Sequence, residues 1–309
     1  MTQKSKQGSV MPRQITIAGV QATPHSIGAP LTAFSDELEN VLATSGAVDI
    51  VVFPELHLYG ADAIAVADRN DALRRAAVPL DSEYVKELGQ IAKRAGVWLV
   101  PGSICERGPH GELFNTALVF SPDGELVSHY RKVFPWRPSE PYDMGDQFVV
   151  FDIDGIGRCG LSICYDAWFP ESARQLAWMG AEVVLNIVKT TTPDRAQELV
   201  LARANSIVNQ TFTVSINCAA PIGQGRSIVV GPEGEVLDEA DDAASVLLHT
   251  LDLDDVTHVR EVGTAGVNRM WSQFTPEDPT LELPIYSGRI SPSRWTPQSA
   301  LPNQEDARP

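Results

Sequence analysis

The chain has 309 residues, 43% hydrophobic and 21% charged, a folding composition long enough for one large domain or two ordinary ones. Asp and Glu outnumber Lys and Arg 40 to 24, and the resulting net charge of −16 disfavours nucleic acid and anionic lipid as partners. No apolar run reaches the ~20 residues of a spanning helix, the first 12 residues lack the apolar core of a secretion signal, and four cysteines without a Cys-x-x-Cys pair suit a reducing cytoplasm.

Residues 1–13 are expected to form a disordered leader. Residues 15–21 alternate as a strand, and 31–44 carry helix-spaced Leu31, Phe34, Leu38, Val41 and Leu42. A buried strand at 48–53 stops at Pro54. Asp81 and Ser82 offer caps to a helix through Val85, Leu88, Ile91 and Ala92 that Gly96 ends, and 97–105 reads as one strand. Strands at 113–121 and 125–133 flank the turn Pro122-Asp123-Gly124; 148–154 and 159–164 flank Gly155 to Gly157. A helix at 170–179, a strand at 182–188, a helix from 193 to 208 and a strand at 211–217 follow. The turn at 121–127 is echoed at 231–237, which suggests two similar halves, and the mixture of hairpins and βα units favours an α/β sandwich over a purely parallel sheet. From residue 264 to 309 prolines 276, 279, 284, 292, 297 and 302 predict an irregular tail that either wraps a neighbour or hangs free.

Three strand ends carry reactive side chains. Val51-Val52-Phe53-Pro54-Glu55 delivers a carboxylate, Tyr130-Arg131-Lys132 an ammonium, and Ser162-Ile163-Cys164 a thiol. Taken singly, each has a plain reading: a solvated strand-end Glu, a surface Lys, a packed Cys. Cys164 stands out because it precedes a helix start, where free amides and the dipole would lower a thiol pKa and serve a developing oxyanion. Cys105, Cys159 and Cys218 read as packing. The six histidines show no metal-ligand spacing, although a Cys–His arrangement with His57 or His129 stays open. Gly223-Gln224-Gly225 reads as a turn, and Asp238 to Asp242 as a solvated loop with calcium as the alternative. No metal and no cofactor is expected.

Taken in order, the three segments resemble the nitrilase, or carbon–nitrogen hydrolase, superfamily over residues 14–263. Phe169-Pro170-Glu171, Asp194-Arg195, Leu201-Ala202-Arg203-Ala204, Asn209-Gln210 and Gly225-Arg226-Ser227 extend the likeness. The resemblance implies a four-layer α-β-β-α sandwich, with Glu55 as general base, Cys164 as nucleophile forming a thioester, and Lys132 with the Tyr165 N–H on the oxyanion. Lys132-Val133-Phe134-Pro135-Trp136 with Glu140 eight residues past the lysine resembles the aliphatic amidase and formamidase branch, where Glu140 would orient nucleophile or substrate. Tyr165-Asp166-Ala167-Trp168 departs from the Asp-Asp-Gly-Asn of that branch, and the Trp-Glu pair of true nitrilases is missing.

The implied activity is hydrolysis of a small or medium carboxamide to acid and ammonia, with Tyr59, Trp136, Tyr142 and Trp168 as candidate pocket residues. N-carbamoyl compounds and nitriles are the alternatives within the superfamily; acyl transfer from the same thioester to an amine and a non-catalytic binding or scaffold protein with the same fold are the further readings. The resemblance also implies a homodimer or larger homo-oligomer stacking outer helices, which the tail could cross.

Overall fold

The computed structural model describes residues 13–284 and 287–290. The first half runs β1 (Gln14–Gln21), α1 (Leu31–Ser45), β2 (Ile50–Val52), α2 (Val66–Ala76), α3 (Glu83–Ala95), β3 (Trp98–Val100), β4 (Ser103–Arg107), β5 (Leu113–Phe120) and β6 (Leu126–Arg131). The second runs β7 (Val150–Ile153), β8 (Gly157–Ile163), a 3-10 turn (Cys164–Trp168), α4 (Pro170–Trp178), β9 (Val183–Val188), α5 (Arg195–Asn209), β10 (Phe212–Asn217), β11 (Ile228–Val230) and β12 (Val236–Glu239). β13 (Ser245–Asp252) and α6 (Asp254–Val262) return to the first half.

One sheet has the order β13-β1-β2-β3-β5-β4 with β6 beside β5, and the other β12-β11-β10-β9-β8-β7. Because side chains alternate across a strand, each central strand feeds two cores. Ile15, Ile17, Ile50, Val52 and Val119 of the first sheet meet Leu161, Ile163, Leu185, Ile187 and Ile216 of the second. On the outside, Phe34, Leu38, Val85, Leu88 and Ile91 from α1 and α3 cover Val20, Val51, Leu99 and Phe120. α4 covers the second sheet through Leu176 on Val184, and α5 through Leu199 and Ala202 on Ile228 and Val230. The four layers are those expected.

The echoed turns are structural counterparts. Each closes an antiparallel pair, with Gly124 N–H donating to the Ser121 carbonyl and Gly234 N–H to the Gly231 carbonyl, both at 2.9 Å. Each pair slips register at the same place, between Val119 and Phe120 and between Val229 and Val230.

The strand read over 97–105 is two strands, broken at Pro101-Gly102. Gly102 has φ +89°, and a Cβ there would lie 2.0 Å from the Pro54 carbonyl oxygen. The break lets the chain after β2, with Glu55, lie against β3 and β4. α2, β13 and α6 carried no sequence expectation: α2 buries only Ala72 and Leu73, too narrow a stripe to register. Of the expected leader, residues 1–12 lie outside the described residues. Arg13 belongs to the folded body, where it bonds Glu182 and Asp254 at 2.9 Å and the Leu253 carbonyl at 3.1 Å. The tail does not hang free at its start: Trp271 is buried near Trp178 and Arg174, and Leu281–Leu283 pairs with Gly288–Ile290. Its part beyond 290 lies outside the described residues.

The segment after β2 is also clamped to α1. His25 Nε2 and His57 Nε2 lie 2.7 and 2.8 Å from one oxygen of Glu37, and His25 N–H donates to the His57 carbonyl at 2.7 Å. Burial pushes Glu37 upward, but the two histidines outweigh it and hold the carboxyl at about 2 instead of 4.5. Since its folded value is depressed, the stabilisation is present above pH 4.5 and lost as pH falls toward 2. Urea denaturation at pH 5 and pH 2.5 should show the wild type losing about 2 kcal/mol that Glu37→Gln does not lose.

Candidate active site

Glu55, Lys132 and Cys164 lie past the carboxyl ends of β2, β6 and β8, and the facing sheets bring these ends to one place. Lys132 is fully buried. Its Nζ donates to Glu55 Oε1 at 3.0 Å and to the two oxygens of Glu140 at 2.8 and 3.0 Å. Glu55, only 2% exposed, accepts two further bonds, from Asn115 Nδ2 at 2.7 Å on Oε1 and from the Lys189 N–H at 2.9 Å on Oε2. Glu140 Oε2 accepts from the Trp136 N–H at 2.9 Å, which pins the loop after β6. Every oxygen of the two carboxylates therefore has a donor.

Burial alone would push Lys132 down; Glu55 and Glu140 outweigh it and hold the ammonium well above its ordinary value. Burial pushes Glu140 up against the pull of Lys132, with Glu55 adding to the rise. Cys164 does not have the depressed pKa that its place before a helix suggested. Burial and then Glu55 push the thiol well above its ordinary value, and Lys132 only partly offsets them. The cysteine heads a five-residue 3-10 turn instead of α4 itself, too short for an appreciable dipole. A thiolate would also be a third negative group around one ammonium.

Cys164 adopts φ +47°, a left-handed conformation unusual for a residue with a Cβ. Asp166 holds it there. Its carboxylate accepts from the Ile163 N–H at 2.9 Å, the Tyr130 hydroxyl at 2.8 Å and the Phe134 N–H at 2.9 Å, so one buried side chain ties the end of β8 to β6 and the lysine loop. Burial pushes Asp166 up to about 6, and Lys132 pulls the other way. The Tyr165 amide lies in the first turn after Cys164, where helical N–H groups lack an intrahelical acceptor.

A cavity of about 50 Å³ opens at Cys164, lined by Trp136, Glu140, Tyr165, Trp168, Lys189, Thr190, Thr191, Thr192, Asp194 and Glu198 as well. Two of the four expected pocket aromatics are thus present. Tyr59 instead lines a separate cavity of about 490 Å³ with Tyr84 and Arg75 beneath α2. Tyr142 is packed in the outer core, its hydroxyl 3.5 Å from Cys105 Sγ. Their spacing near prolines reflected packing, as aromatics of amphipathic segments usually do. No histidine lines the cleft among the described residues; His57 is committed to Glu37. Its cluster with His25 and Glu37 is the one group of metal-type ligands brought together among the described residues, and it sits against α1, apart from the cleft.

Asn115, Asp166, Lys189, Thr190 and Glu198 were given no role from sequence. Lys189 and Thr190 follow β9 as Cys164 follows its neighbour β8, and that shared strand-end position was the available signal.

The sequence profile of the carbon-nitrogen hydrolases matches residues 16–261. The chain belongs to the carbon-nitrogen hydrolase family. It is 31% identical over 197 residues to a formamidase of Pseudomonas syringae pv. syringae, 62% of this chain and 56% of that one. It is 30% identical over 239 residues to the 2-oxoglutaramate amidase of Paenarthrobacter nicotinovorans, 72% of this chain and 79% of that one. The chain thus spans about half the length of the formamidases it matches. Among solved structures, a glutamate-to-glutamine mutant of the amidase from Nesterenkonia sp. AN1, showing covalent addition of the acetamide moiety of fluoroacetamide at the active-site cysteine, superposes with TM-score 0.64 at 26% identity. It covers 80% of this chain and 93% of that one.

Asp166→Ala removes one carboxylate from three donors, two of them in buried bonds. The variant should lose about 3 kcal/mol in chemical denaturation, whereas a buried substitution without orphaned donors costs nearer 1 kcal/mol.

Proposed function

We propose that the protein is an amidase that hydrolyses a short carboxamide to carboxylic acid and ammonia through a Cys164 thioester. The observation that carries this reading is the buried ammonium of Lys132 held between Glu55 and Glu140 beside a half-buried cysteine. Glu55 takes the thiol proton as sulfur attacks the amide carbon, and the carbonyl electrons move onto oxygen. Lys132 Nζ and the Tyr165 N–H oppose the charge that develops there. As the carbon–nitrogen bond breaks, Glu55 returns the proton to the leaving ammonia; it then accepts one from the water that attacks the thioester carbon and passes it to the Cys164 sulfur as the carbon–sulfur bond breaks. Glu140 holds Lys132 in place and orients the substrate amide.

A resting thiol suits this sequence, because proton loss and carbon–sulfur bond formation are then one event at Glu55. Size supports a short acyl group: about 50 Å³ is room for roughly three to five waters by the measure of one per 10–15 Å³. The walls of Trp136, Tyr165 and Trp168 set that limit. The relatives named for formamide and 2-oxoglutaramate are consistent with small amides.

Four unpaired cysteines are consistent with a reducing cytoplasm, and no helix among the described residues is long and apolar enough to cross a membrane. Exposed Val200, Ile207 and Val208 on α5 support a homo-oligomer stacked through its outer helices. The boundaries proposed for the hydrolase domain are residues 14–263.

Ammonia release should be measured from formamide, acetamide, butyramide, benzamide, an N-carbamoyl amino acid and acetonitrile. The shortest amides should turn over fastest, Cys164→Ala should abolish release, and Glu140→Gln should lower kcat by about 100-fold. Hydrolysis of the accepted amide that survives Cys164→Ala would refute the reading.

A further inference from the structure

Thr190 stands between the sulfur and a carboxylate that the chemistry above leaves unused. Its Oγ1 lies 3.9 Å from Cys164 Sγ and 2.8 Å from each carboxylate oxygen of Glu198. Glu198 lines the cleft, and Arg195 on the same helix fixes it with a 3.0 Å bond to Oε2. Arg195 is fixed in turn by the Ser215 hydroxyl at 3.2 Å and the Arg226 carbonyl at 2.9 Å. The Thr190 N–H donates to Asn217 Oδ1 at 2.9 Å, so its backbone cannot follow the sulfur.

A hydroxyl has one proton and two lone pairs. With an arginine-paired carboxylate at 2.8 Å, the Thr190 proton goes to Glu198, the stronger acceptor. Lone pairs are then what the hydroxyl presents to Cys164. They accept from a thiol S–H and offer nothing to a thiolate.

We infer that Thr190 and Glu198 form a positioning pair that keeps Cys164 a thiol between turnovers, its S–H aimed at the Thr190 oxygen until an amide carbon arrives. The inference rests on reading Cys164 as the nucleophile. At that moment the S–H proton passes to Glu55, the sulfur–carbon bond forms, and the carbonyl pair moves to oxygen. The charged groups facing the sulfur are Glu55 after β2, Lys132 after β6, Glu140 in the next loop, and Arg195 and Glu198 on α5; Lys189 after β9 and Asp194 before α5 line the same cleft. Lys132 is engaged by two carboxylates and Arg195 by Glu198, and Glu198 is among the groups that push the thiol up. An enzyme so arranged protects its sulfur from oxidants and alkylating agents while the cleft is empty.

The test is the pH dependence of iodoacetamide modification of Cys164 in the full-length protein, followed by peptide mass spectrometry without substrate. Thr190→Val should react about three- to tenfold faster than wild type at pH 7, the range for losing one hydrogen bond to the neutral form. Thr190→Ser should match wild type. A slower or unchanged Thr190→Val with an intact melting transition would overturn the inference, since the hydroxyl would then be a donor to the thiolate or a spectator. If Thr190→Val does not fold, Glu198→Gln decides with the same sign: faster supports the pair, unchanged or slower overturns it. Alkylation needs no turnover, so failure of Cys164 as nucleophile would show separately, as amide hydrolysis by Cys164→Ala.

Discussion

A lysine ammonium with no exposed surface, gripped by two carboxylates, is the interaction on which this molecule depends. Removing three charged groups from water is costly unless each finds partners of good geometry. Here Lys132 donates to three carboxylate oxygens; Asn115 Nδ2 and the Trp136 amide share two of them, and the Lys189 amide takes the fourth, Glu55 Oε2. Those donors come from β5, from the end of β9 and from the loop after β6. The ion cluster and the sandwich therefore specify each other: the charges survive only where the two sheets meet at their carboxyl ends.

The same constraint explains why the thiol is the neutral partner. One ammonium already balances Glu55 and shares Glu140, so a further anion at Cys164 has no unspent cation to meet. Hydrogen bonds keep the sulfur in this field against backbone strain. Leu56, next to Glu55, has φ +51° and Cys164 itself φ +47°. Ser103 Oγ secures the Leu56 amide at 2.9 Å and Asp166 the Ile163 amide. Strain of this kind persists only when surrounding bonds over-determine it.

Much of this was legible in the sequence. Alternation and helical spacing located most strands and helices because each sheet buries one face under helices and the other under its twin. The repeated Pro-x-Gly-Glu turn pointed to two matching hairpins, since both turns close an antiparallel pair with the same slip in register. Glu55, Lys132, Cys164 and Glu140 were found as a set through resemblance, not through any one segment. What escaped were partners defined only in three dimensions. Asn115 and Asp166 sit amid ordinary strand and turn sequence, Thr190 and Glu198 in a stretch that reads as a plain βα connection. Tyr59 and Tyr142 were misplaced because a proline bend near a reactive residue says nothing about which side of the sheet an aromatic takes. The depressed thiol pKa failed for a related reason: the turn after Cys164 is too short for a dipole, and sequence cannot count carboxylates that arrive from other strands.

The most direct test of a sulfur nucleophile served by this charge cluster is to quench the protein in acid during turnover of a short amide and locate added mass by peptide mapping. An acyl group, hydroxylamine-labile, should appear on the peptide containing Cys164 and on no other. Steady turnover with that peptide unmodified, or with the acyl group on Cys105, Cys159 or Cys218, would contradict a Cys164 nucleophile.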